Sequence, residues 1–289
     1  MDLTPRIEVA LEQAIRSATE TDCPPRLADA LHYAVFPGGA RIRPRLALAV
    51  ALACGDDDPA AADASAAAIE LMHCASLVHD DLPCFDDADM RRGKPSVHRA
   101  FGQDIAVLCG DALIVLAFET VAAAEMRHPE RIGPLASIVG RAVGSRGGIT
   151  AGQAWESEGA VDLSAYHLAK TGSLFAAATV AGAAASGAAH EPWRALGETI
   201  GEAFQVADDI ADHAGDAGAI GKPVGRDKAL GRPSAVLELG VDAAVARLKA
   251  LVSRAMALTP SCPGEALLKS LILAETQRFM PARAKAQAA

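Results

Sequence analysis

The stretch DPAAADASAAAIELMHCASLVHDDLPCFD, Asp58 to Asp86, decides how this chain folds. Asp58-Pro59 opens a helix, with proline in the first turn, where a missing N–H costs nothing. Apolar residues then recur at spacings of three and four without interruption to about Asp81, and Pro83 stops the run. The helix therefore ends in Asp80 and Asp81, with Asp86 just beyond. A helix C-terminus carries partial negative charge, so it is the wrong place for uncompensated carboxylates. A second run ends the same way, in Asp208-Asp209-Ile-Ala-Asp212. Something positive must compensate both clusters. Hard oxygen ligands at this density suit Mg2+, and Mg2+ suits phosphate-bearing substrates.

Outward from Asp58, the same periodicity covers nearly all of the 289 residues. Thr4-Pro5 starts one helix, with Thr4 as its cap. Arg26 to Val35 forms a second, stopped by Pro37-Gly38-Gly39. Pro44 to Cys54 forms a third. Asp104 to Ala124 and Ile132 to Val143 follow, then a glycine-rich break at 144–148. Ser164 caps a helix through Lys170 to about Ala185. Pro192 begins the helix that carries the second cluster to about Gly215. Residues 215–233 read as a mobile loop, and two or three helices finish the chain. Strand-like alternation is scarce and aromatic residues make up only 4%. The expectation is an all-α chain, a single large helical domain over 1–289, with no linker or short repeat.

A net charge of −9 argues against a general nucleic-acid binder. The N-terminus, with Asp2, Arg6, Glu8 and Glu12, does not read as a signal peptide. The longest uninterrupted apolar run, Leu46 to Cys54, is too short to span a bilayer. The six cysteines form no CxxC pair and read as reduced, in a cytoplasmic protein.

Within the second cluster Asp208 and Asp212 are spaced i, i+4 and share one helix face, whereas Asp209 points roughly 100° away. In the first, Pro83 lets the chain curl so that Asp86 returns toward Asp80. One such cluster alone is more often a solvated acidic helix end. Two of them, each beside basic and polar partners, point to a phosphate site. Arg91-Arg92 follows the first cluster, and Arg41, Arg43 and Arg45 alternate after Gly38-Gly39. Arginine suits diphosphate because its planar fork donates two hydrogen bonds at once. Lys170-Thr171-Gly172 interrupts an apolar helix, unusual for a lysine unless it reaches a pocket. Lys222 lies in the loop after the second cluster and is placed to close over phosphate. His73 precedes Asp80 by two helical turns; a lone helix histidine is more often a hydrogen-bonded core residue. Gln205 shares the face of Asp208, or is simply a polar surface residue.

These residues together resemble the trans-isoprenyl diphosphate synthases over nearly the full length. The motifs fall in family order: GGARIRP (Gly38–Pro44), ELMHCAS (Glu70–Ser76), DDLPCFD (Asp80–Asp86) with DADMRRGKPSVH (Asp87–His98), and GDAL (Gly110–Leu113). GGITAGQ (Gly147–Gln153), YHLAKTG (Tyr166–Gly172) and FQVADDIAD (Phe204–Asp212) follow. The details are most like geranylgeranyl diphosphate synthases of carotenoid and bacteriochlorophyll pathways in photosynthetic bacteria. The resemblance implies an isoprenoid synthase fold around a deep central cavity, a cytoplasmic homodimer, and Mg2+ held between the two aspartate motifs. It implies Asp80, Asp86 and Asp208 as leading metal ligands, with Asp81 and Asp212 in support and Asp209 in the catalytic cluster. It assigns Arg91, Lys170, Thr171, Gln205 and Lys222 to the allylic diphosphate, and Gly39, Arg41, His73 and Arg92 to isopentenyl diphosphate. Two positions depart from the pattern: Ala40 stands where the family has lysine after the paired glycines, and Arg232 replaces a lysine in the loop after the second motif.

The chemistry so implied is ionisation of an allylic diphosphate, attack by the double bond of isopentenyl diphosphate, and loss of a proton. The growing chain would run along the helix of Asp80 toward its N-terminal end. Five residues is about 7.5 Å of depth, which reaches Ala75, with Ser76 beside it and Met72 a turn further. In the family a large aromatic near this point stops elongation at farnesyl. Ala75 and Ser76 are small, so the expected product is C20, geranylgeranyl diphosphate. The alternative is that Ala75 is merely packing. Rival readings are a farnesyl diphosphate synthase, a class I terpene cyclase, a non-catalytic partner subunit, and a plain acidic metal-binding protein.

Overall fold

The computed structural model describes residues 2–36, 38–158, 163–214 and 235–279. Helix starts fall where proline and aspartate put them. α1 (Thr4–Thr19) begins one residue earlier than expected: Leu3 rather than Thr4 stands at the N-cap, and Asp2 Oδ1 accepts from the Thr4 N–H at 3.0 Å and the Thr4 hydroxyl at 2.7 Å. α2 (Pro25–Val35) and α3 (Ile42–Ala53) follow. α4 (Pro59–Asp80) is the helix read from Asp58–Asp86; Asp58 Oδ1 accepts from the Ala61 N–H at 3.3 Å, and its Oδ2 accepts from the His128 N–H at 2.8 Å. Then come α5 (Val97–Phe101), α6 (Gln103–Ala123) and α7 (Ile132–Val143).

The glycine-rich break gives way to a short helix absent from the sequence reading, α8 (Ile149–Trp155). α9 (Leu163–His167) passes through a π-helical turn (Leu168–Gly172) into α10 (Ser173–Ala185). α11 (Arg194–Ala214) carries the second aspartate cluster. α12 (Ala235–Leu239), α13 (Val241–Leu258) and α14 (Glu265–Phe279) complete the described chain. The loop expected at 215–233, with Lys222 and Arg232, lies outside the described residues.

α10 is the axis of the bundle. Every residue from Leu174 to Ala185 is buried, and the helix packs against α3, α4, α7 and α11. Its alanines keep the helix thin, so neighbours approach on several sides. Burial of the larger core groups around it, such as Leu48, Leu113, Leu135 and Leu196, contributes about 1.5–3 kcal/mol each. A second apolar cluster, including Val206, Ile210, Val245 and Leu248, joins α11 to α13.

Two helical segments, Gln103–Ala123 and Ala165–Ala185, are long and apolar enough to cross a membrane by length and composition. Occasional polar residues break these segments into runs shorter than Leu46–Cys54 without lowering their mean hydropathy. The second is the core axis, 78% buried by its neighbours. α6 is 39% buried, packs chiefly on α4 and exposes Leu108, Val115 and Phe118.

Candidate active site

Beyond α4 the chain curls back as Pro83 suggested: the Asp86 N–H donates to the Asp80 carbonyl at 2.9 Å. Asp80 and Asp86 then face Asp208 of α11 across a cavity of about 210 Å³. Asp80 Oδ1 is buried without a hydrogen bond, with Lys170 Nζ 3.6 Å away and Arg91 also close enough to act on it. Burial raises the Asp80 pKa, Lys170 opposes the rise, and Asp86 adds to it.

The remaining aspartates do other work. Asp81 is turned into the fold and grips Arg91, whose Nε lies 3.1 Å from both carboxylate oxygens. It does not line the cavity, so the expected metal-supporting place is instead an ion pair that fixes an arginine. Asp209, expected in the catalytic cluster, points away as the helical pitch requires. It accepts the Ala235 N–H at 2.8 Å and the Gln205 amide at 3.0 Å, tying α12 to α11. Asp212, a turn past Asp208, is also outside the cavity lining.

The basic wall comes from a feature missed in the sequence. Strands β1 (Met90–Arg91) and β2 (Lys94–Pro95) form a two-residue hairpin. Its central residues, Arg92 and Gly93, have φ of +52° and +77°, the geometry of the tight turn that right-twisted strands favour. Lys94 donates to the carbonyls of Tyr33 at 2.6 Å and Phe36 at 2.7 Å, pinning the hairpin to the end of α2. Arg92 then lies against Gly39, where an added Cβ would sit 3.0 Å from the guanidinium Nε. Arg92 and Gly39 are thus together, but neither lines the main cavity.

Arg41 is not at the cavity either. It is 3% exposed and donates to Glu8 at 2.8 Å, Glu70 at 2.8 Å and the Val35 carbonyl at 2.9 Å. Arg43, two residues on, does line the cavity. Its guanidinium stacks 4.4 Å from the Phe175 ring centroid and lies 3.5 Å from His73 Nε2. Arg43 Nε is buried without a hydrogen bond, and burial pushes the Arg43 pKa down to about 10. Arg41 is the left-handed N-cap of α3, with φ of +51°, and Arg43 lies in its first turn, so the two side chains leave the backbone in different directions. Burial, reinforced by Arg43 and its neighbouring arginines, holds His73 well below the usual histidine range. His73 therefore sits in the cavity wall as a neutral ring.

Lys170 and Thr171 reach the cavity from the π-helical turn, a local widening that often marks functional sites. Two glycines allow it. A Cβ on Gly152 would lie 2.7 Å from Lys170 Cα, and one on Gly201 would lie 2.8 Å from Gly172 Cα. The Thr171 hydroxyl donates to Gln205 Oε1 at 3.1 Å. Gln153 and Tyr166 also line the cavity, although only their motifs, not these residues, were marked in the sequence.

A second cavity, about 310 Å³, adjoins the first and shares Ser76, Asp80, Ile149 and Gln153 with it. Ala75 and Met72 line it from α4, Ile114 from α6 and Val143 from α7. Phe85 also lines it and is half exposed.

Among the described residues no three His, Cys, Asp or Glu side chains alone form a cage for an ion. The donors still suit Mg2+, which is held by one or two carboxylates while substrate phosphate and water complete its shell. The buried, unbonded oxygen of Asp80 is the kind of group such an ion satisfies.

A helical bundle with acidic groups on two sides of a cavity, arginine and lysine beside them and an apolar extension defines a receptor for a diphosphate-headed hydrocarbon. The chain belongs to the polyprenyl synthetase family, which it matches over residues 24–265. It is 54% identical to the geranylgeranyl diphosphate synthase of Cereibacter sphaeroides over 98% of both chains. It is 53% identical to that of Rhodobacter capsulatus over 99% of both. Among solved structures, a Zymomonas mobilis FPP/GFPP synthase superposes with a TM-score of 0.77 at 33% identity, over 94% of this chain and 98% of that one. A Helicobacter pylori geranyltransferase complexed with magnesium and isoprenyl diphosphate has a TM-score of 0.77 at 29% identity, over 95% and 98%.

Proposed function

We propose that this protein is a prenyltransferase that condenses isopentenyl diphosphate with allylic diphosphates to give geranylgeranyl diphosphate. The observation that carries the reading is adjacency: the cavity holding Asp80, Asp86, Asp208, Lys170 and Arg43 shares Ser76, Asp80, Ile149 and Gln153 with a mainly apolar cavity lined by Ala75.

Lys170, Thr171, Gln205 and Arg91 bind the allylic diphosphate, with Lys222 expected to join them. Arg43 and His73, backed by Arg92 and Gly39, receive isopentenyl diphosphate. The neutral His73 ring adds no charge but presents a nitrogen to a neighbouring donor. Arg43 supplies a planar fork there in place of the lysine that Ala40 removes. Asp80, Asp86 and Asp208 would hold Mg2+ together with substrate phosphate and water, and the ion would supply charge neutralisation of the diphosphate. The C–O bond of the allylic substrate breaks with its electron pair leaving on diphosphate. Lys170 and Arg91 stabilise that developing charge from fixed positions. The double bond of isopentenyl diphosphate attacks the allylic carbon, and the released diphosphate takes the proton. Leu174, Phe204 and Leu77 wall the cavity and keep water from the cation.

The chain is expected to act as one domain and as a homodimer, with the exposed Leu108, Val115 and Phe118 face of α6 against a second copy. Its six cysteines are all free, as suits a reducing cytoplasm. The pathway the resemblance suggests is carotenoid and bacteriochlorophyll synthesis.

The test is product length. Purified protein is incubated with Mg2+, isopentenyl diphosphate and each allylic starter, and the dephosphorylated alcohols are sized. Mainly C20 supports the proposal. Mainly C15 makes it a farnesyl diphosphate synthase, and no product overturns the catalytic reading.

A further inference from the structure

Glu156 stands just beyond α8 and receives three donors, two of which come from outside that helix. Its Oε1 accepts from the Tyr166 hydroxyl at 2.6 Å and from Lys170 Nζ. Its Oε2 accepts from the Gln153 amide at 3.1 Å. Tyr166, Lys170 and Gln153 all line the main cavity. A carboxylate only accepts, so Glu156 sets the direction of each donor.

The consequence falls on Asp80. Lys170 Nζ is in hydrogen-bonding contact with Glu156 but stops 3.6 Å from Asp80 Oδ1, which has no hydrogen bond. A lysine on a flexible stem beside a buried, unbonded carboxylate oxygen gains by closing that gap, since a charge-assisted hydrogen bond outweighs a longer ion pair. Lys170 is prevented from doing so because Glu156 already holds it. We propose that Glu156 is a positioning residue that keeps Lys170 off Asp80, so that the Asp80 oxygen stays open to a divalent cation while the ammonium stays beside the diphosphate. The inference rests on the reading of this cavity as a magnesium–diphosphate site.

If Glu156 is neutralised, Lys170 moves onto Asp80 and competes with the cation. The test is calorimetric titration of Mg2+ into the full chain with saturating inorganic diphosphate, for wild type, Glu156→Gln, Lys170→Met and the double variant. Glu156→Gln raises the Mg2+ concentration for half-saturation about tenfold, the scale of one charge-assisted hydrogen bond. In the Lys170→Met background the same change has an effect below about twofold, because the competitor is gone. Glu156→Asp keeps the charge but shortens the reach by one methylene. It gives an intermediate rise of about threefold, also erased by Lys170→Met, and carries the test if the glutamine variant does not fold. An equal effect with and without Lys170 marks a merely structural glutamate and overturns the proposal, as does no effect in either background. Prenyl transfer by the wild type is assayed separately. Absence of product there overturns the functional reading and leaves the Mg2+ titration to decide the role of Glu156.

Discussion

Arg41 and Arg43 stand two residues apart at the start of α3 and serve opposite sides of it. Arg41 is locked between Glu8 and Glu70, and Arg43 reaches the cavity beside His73. Their loss should therefore be felt in different measurements. Arg43→Ala is expected to raise the KM for isopentenyl diphosphate about tenfold or more, by removing charge-assisted hydrogen bonds worth about 1.5–3 kcal/mol, with little change in melting temperature. Arg41→Ala leaves two glutamates around an empty buried site. It is expected to cost about 3–5 kcal/mol of stability, read by urea denaturation. A reversal of the two outcomes would return isopentenyl diphosphate to Arg41.

The adjacent aspartates Asp208 and Asp209 make a parallel pair. Asp208→Ala should lower kcat by orders of magnitude while the unfolding midpoint stays put. Asp209→Ala strips partners from the Ala235 N–H and from Gln205, so it should destabilise the fold by about 1–3 kcal/mol. Denaturation of the two variants beside steady-state rates separates these roles. An Asp208 variant with near wild-type turnover would dismiss it as a metal ligand.

Ala75→Phe places an aromatic ring in the wall of the second cavity. The expected result is a shift of the main product from C20 to C15, seen by sizing the alcohols. A product that stays C20 would show that the stop lies deeper, toward Ile114 or Val143.

His73 is buried neutral, with its pKa held well below the usual range by desolvation and by Arg43. The unfolded chain takes up a proton near pH 6.5 and the folded chain does not, so acid favours unfolding through this group. Stability should fall by up to about 1.4 kcal/mol per pH unit as pH drops below about 6.5. The difference between wild type and His73→Gln isolates this slope from that of the carboxylates. Equal slopes from pH 7 to 5 would mean that His73 titrates normally.

Much of this was legible in the sequence because helical spacing translates directly into shared faces. Asp208 and Gln205 were placed on one face, and the return of Asp86 toward Asp80 followed from Pro83. What was missed depended on contacts between distant segments. The hairpin needs a positive φ at Arg92, a non-glycine residue that gives no turn signal. α8 was hidden because Gly147 and Gly148 read as a break, yet Gly152 within it is what lets the helix touch the π-helical turn. Glu156 drew no notice because its meaning lies in Tyr166 and Lys170, across residues with no periodic relation to it. Asp81 and Asp209 lie outside the cavity lining, since adjacent carboxylates look alike in a string but point in different directions on a helix.

The second cavity borrows its walls from α4, α6, α7 and α8. On the proposed reading it is a ruler whose graduations are individual side chains contributed by separate helices. Such a gauge can be reset one mark at a time. A bulkier residue on any one helix shortens the measure without touching the aspartates that perform the chemistry, so chain length and catalytic competence are free to vary independently.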